Sequence, residues 1–134
     1  MNPIEELATI LAQQDVAQSQ REALIDLVVW AMYVDGRIDY EENEQIDEVI
    51  EQLSTSAKIP IRSYLYTAIA KIRDAWNDAE RAERTLNDID TRLGTDELRR
   101  AAYALCEAVT HADDQLAGPE VVFLERLQQQ FGLG

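Results

Sequence analysis

The sequence predicts an all-α domain, on three observations. Apolar residues recur at spacings of three and four along nearly every segment, the period of a helix with one buried face. Only five Gly and three Pro punctuate 134 residues, too little turn chemistry for an all-β chain. A strand reading survives only over residues 59–66. With 46% apolar and 28% charged residues the composition is globular, and the length suits one domain spanning residues 1–134.

Ile4, Leu7 and Leu11 open a short first helix, and Pro3 suits its first turn. Residues 20–34 are apolar almost all round (Leu24, Ile25, Leu27, Val28, Val29, Ala31, Met32), which places that helix in the middle of a bundle. Ile46, Val49, Ile50 and Leu53 mark a third helix on an otherwise acidic stretch, 40–54. After a linker ending at Pro60, the residues Tyr64, Leu65, Ala68, Ile69 and Ile72 mark a fourth. Ala82, Leu86, Ile89 and Leu93 form a 4-3-4 stripe that Gly94 closes. Thr95 to Leu98 reopens the chain, and Leu98, Ala101, Leu105, Cys106 and Val109 line a sixth helix. Val121, Leu124, Leu127 and Phe131 line a seventh, ended by Gly132. Six to seven helices joined by short connections make a bundle.

The net charge is −14, from 26 acidic and 12 basic residues. Such a surface repels nucleic-acid phosphates and anionic lipid headgroups; it favours cations, basic partners or simple solubility. No stretch approaches the roughly 18 uncharged apolar residues of a membrane span, and no basic leader precedes an apolar run. A cytoplasmic protein without direct membrane insertion is expected. The single cysteine, Cys106, sits in an apolar helical stretch and reads as a small buried hydrophobe; His111, five residues on, is rotated away from it. Trp30 reads as core and Trp76 as half exposed.

The chain also echoes itself. Residues 34–50 read VDGRIDYEENEQIDEVI and residues 112–128 read ADDQLAGPEVVFLERLQ. Each copy has an acid (Asp35, Asp113), an aliphatic three positions on (Ile38, Leu116), a glutamate seven on (Glu42, Glu120) and a core aliphatic four further (Ile46, Leu124). The preceding helices align too, Arg21 with Arg99, Leu27 with Leu105 and Val28 with Cys106. Two duplicated helix–acidic loop–helix units follow, at about 20–54 and 97–131. Whether their loops share an end of the molecule is open at this level.

Local geometry explains part of the motif. Asp39 and Glu42 have capping-box spacing, Gly36 suits a helix end, and Gly118-Pro119-Glu120 suits a helix start. A complete EF-hand is excluded, because its first and third ligand positions would hold Ala31 and Tyr33, or Val109 and His111. Yet Asp35, Asp39 and Glu42, echoed by Asp113, Asp114 and Glu120, would repel one another if the loops met. A hard cation with oxygen ligands relieves that repulsion. These six are the candidate metal ligands, for calcium, magnesium or zinc; His111 reads as a helix-end cap.

On the pattern formed by Ala31, Asp35, Gly36, Ile38, Glu42 and Ile46, completed in the second half by Glu120 and Leu124, the chain resembles the TerB-like domains of tellurite resistance. The resemblance covers nearly the whole chain. It implies a seven-helix fold with two acidic loops, association with a metal, a role in stress response, and docking to a protein partner, often in a membrane-associated complex; it implies no enzymatic activity. One departure is Asp114, where the second motif would carry glycine. Two other readings stand beside it. One is a scaffold whose acids only maintain solubility. The other is a metal-dependent hydrolase, which the lack of Glu-x-x-His pairs counts against.

Overall fold

The computed structural model describes residues 3–35, 44–54, 61–76, 78–110 and 118–133; the side chains of residues 35, 44–46, 110 and 118–120 also lie outside the description. Among the described residues the chain forms seven helices and no strand: α1 (Pro3–Gln13), α2 (Gln18–Asp35), α3 (Glu44–Ser54), α4 (Ile61–Trp76), α5 (Ala79–Leu93), α6 (Asp96–Thr110) and α7 (Gly118–Phe131). The fourth helix forms as expected, and the strand alternative for residues 59–66 is excluded where those residues are described. Residues 61–66 open α4, because Ile61, Leu65, Ala68 and Ile72 are buried at helical spacing and only a helix puts all four on one face. The expected start of α3 at residue 40 lies outside the described residues.

The all-round apolar helix is the centre of the bundle. Every residue of α2 from Ala23 to Met32 is buried, because α4, α5, α6 and α7 all pack against it and α3 closes one end. Cys106 Sγ lies 3.7 Å from the Leu27 carbonyl oxygen where α2 and α6 cross. Around this axis the amphipathic helices contribute Leu7, Val49, Leu53, Leu86, Ile89, Leu93 and Leu127 to one continuous core, so helices that could not persist alone are held by burial of their apolar stripes.

Long-range contacts fix the direction of each helix. Gln14 at the end of α1 donates to Glu97 at the start of α6. Ile10 shares a cleft with Ala101, and Ile4 another with Leu105 and Ala108. The two helices are therefore antiparallel. Arg21 reaches the Leu53 carbonyl at the end of α3, so α3 opposes α2. Tyr64 and Lys71 meet Asp26 while Trp76 meets Tyr33, so α4 follows α2. Arg92 returns to Asp26 and Leu93 to Gln20, which reverses α5. Phe123 packs on Trp30 and Gln130 on Asp90, which reverses α7 with respect to α6. Direction thus alternates along the whole chain.

The ends are capped as their residues require. Asp78 Oδ1 accepts from the Glu80 and Arg81 amides at 3.0 and 3.1 Å, and Thr95 Oγ1 accepts from the Leu98 amide at 3.2 Å. Gly94 takes φ +75°, the left-handed conformation that ends a helix and that a side chain would strain. No helix among the described residues is long and apolar enough to cross a membrane.

Candidate functional site

The helix directions decide where the two acidic segments begin and end. Trp30, near the end of α2, stacks on Phe123, near the start of α7, with ring centroids 6.4 Å apart and an interplanar angle of 23°. Reciprocally, Glu48 and Val49, near the start of α3, share a groove of about 200 Å³ with Leu105, Ala108 and Val109, near the end of α6. The helix ends that flank residues 36–43 and those that flank residues 111–117 therefore occupy the same pole of the bundle.

Of the six expected ligands, Asp35 is the last residue of α2 and Glu120 lies in the first turn of α7; their side chains lie outside the description. Asp39, Glu42, Asp113 and Asp114, with Gly36 and His111, lie outside the described residues altogether. Among the described residues there is no cluster of three or more His, Cys, Asp or Glu arranged to hold a metal. The donor chemistry of the six is all carboxylate oxygen, which matches a hard divalent cation better than a soft one.

The structure brings together a second constellation that the sequence reading missed. Asp26, in the middle of α2, is completely buried. Its Oδ1 accepts from the Tyr64 hydroxyl at 2.8 Å; its Oδ2 accepts from Lys71 Nζ at 2.7 Å and from Arg92 Nη2. Lys71 also donates to Tyr64 Oη at 3.0 Å, and Arg92 Nε donates to Asp88 Oδ2 at 2.9 Å. Both carboxylate oxygens are satisfied, as a buried charge requires. The only sequence signal was a lone acid within an apolar run.

Burial pulls the Lys71 ammonium downward, but hydrogen bonds to Asp26 and Tyr64 outweigh it and leave its pKa above the ordinary lysine value. Arg92 is raised by the same contest of burial against Asp26. Burial also raises Tyr64, opposed by its hydrogen bond from Lys71. A lysine held protonated in this way is no nucleophile, so the cluster acts as an electrostatic clasp between α2, α4 and α5. It borders an open cleft of about 390 Å³ between α4 and α5, to which Lys71, Asp74, Arg81, Arg84 and Asp88 contribute.

Cys106 is completely buried, its thiol pushed far up by desolvation, with the Glu107 charge adding to the shift, so it is inert as a nucleophile. Trp30 is buried and Trp76 is half exposed, as expected. Arg21 and Arg99 are both structural pins at the opposite pole. Arg21 is buried and donates to the Val16 and Leu53 carbonyls at 3.0 and 2.6 Å. Arg99 holds Asp90 at 2.6 Å, and Gln130 of α7 donates to the same carboxylate. Compared with known proteins, the chain matches no family model, no curated protein and no solved structure.

Proposed function

We propose that this protein is a non-catalytic, TerB-like binding domain of the stress-response kind. In this reading its two acidic connections hold a divalent cation between them and it docks a protein partner. The observation that carries the reading is the reciprocal packing at one pole, Trp30 on Phe123 and Val49 beside Leu105 and Val109. A segment of eight residues between α2 and α3, and one of seven between α6 and α7, start and finish within reach of each other there. Asp35, Asp39 and Glu42 from the first unit, with Asp113, Asp114 and Glu120 from the second, would supply the oxygen ligands. Carboxylates brought together there would, on a chain of net charge −14, favour a hard cation over any anionic ligand.

The duplication has support of its own. Arg21 and Arg99, aligned in the two copies, tie the base of α2 to the end of α3 and the base of α6, through Asp90, to the end of α7. Leu27 and Cys106, one position apart in the alignment of the two units, meet where α2 crosses α6. These contacts fit an approximate two-fold relating α2–α3 to α6–α7, with Asp90 of α5 as an intermediary that the first unit lacks.

Calorimetry and thermal melts with calcium, magnesium, manganese and zinc test the metal. A cation that binds only the folded chain raises its stability by RT ln(1 + [L]/Kd), about 2.7 kcal/mol at a hundredfold excess over Kd. Asp113→Asn with Asp114→Asn should remove both the heat and the shift. No heat and no shift with any of the four ions would leave the acids as surface charge alone.

A further inference from the structure

We draw no further inference here: the strongest candidate, the open cleft between α4 and α5, carries none, because its cations are already paired within the chain, Lys71 with Asp26, Arg81 with Asp78 and Arg84 with Glu80, and nothing in the structure shows what covers it.

Discussion

Trp30 and Phe123, which stand in different halves of the chain, lie stacked with ring centroids 6.4 Å apart, and the stack closes the pole where α2 ends and α7 begins. Both rings are buried. An aromatic pair of this kind adds to its burial a favourable offset contact.

Phe123→Ala should therefore destabilise the fold by about 3–5 kcal/mol, a buried aromatic lost with a cavity left behind. Urea unfolding measures the loss, and the altered native emission of Trp30 reports it directly. A cost below about 1 kcal/mol would mean that α7 does not hold this pole together.

Asp26→Asn should be among the costliest single substitutions, because it leaves Lys71 and Arg92 without their shared counter-charge. Breaking such a buried pair costs about 3–5 kcal/mol. Replacing the cluster whole, as Asp26→Leu with Lys71→Met and Arg92→Leu, should cost less than the single change, since no uncompensated charge remains. Urea midpoints of the two variants decide between these outcomes.

The same cluster predicts alkaline instability. Lys71 and Tyr64 both have folded-state pKa values raised above 10.5 and 10.0, the ordinary values for their types. The folded chain then binds more protons than the unfolded one at high pH. Their contribution is fully present below pH 10 and declines as pH rises through the raised folded values. Lys71→Met should flatten the fall in urea midpoint above about pH 10 relative to the wild type; an equally steep fall would place its origin elsewhere.

Cys106 should resist an aromatic disulfide reagent in the native state and react completely in denaturant. It is buried against the Leu27 carbonyl, so labelling requires opening of the α2–α6 contact. Rapid labelling under native conditions would show that this contact is not intact.

What was legible in the sequence was what local chemistry encodes. The period of the apolar residues placed the helices. The all-round apolar stretch at 20–34 picked out the central one, and Gly94, Gly132 and Thr95 marked ends that the structure caps with those residues. The fourth helix, marked by Tyr64, Leu65, Ala68, Ile69 and Ile72, prevailed over the strand alternative near residue 61, because a few β-favouring residues are weaker evidence than a buried stripe running the length of a helix. The candidate ligands came from a repeat in the sequence, and all six lie in or beside the segments outside the description.

By itself, then, the sequence determined six to seven helical segments, one of them apolar all round, several of their ends and a strong excess of negative charge, since each depends on neighbours within a few residues. Tertiary structure alone decided two things. It gave Asp26 its partners from 38, 45 and 66 residues away, and it set the helix directions that bring the flanks of both acidic segments to one pole. Neither has a local signature, because a buried carboxylate is indifferent to where in the chain its cations come from, and the sense of a helix is fixed only when its stripe finds the surface it covers.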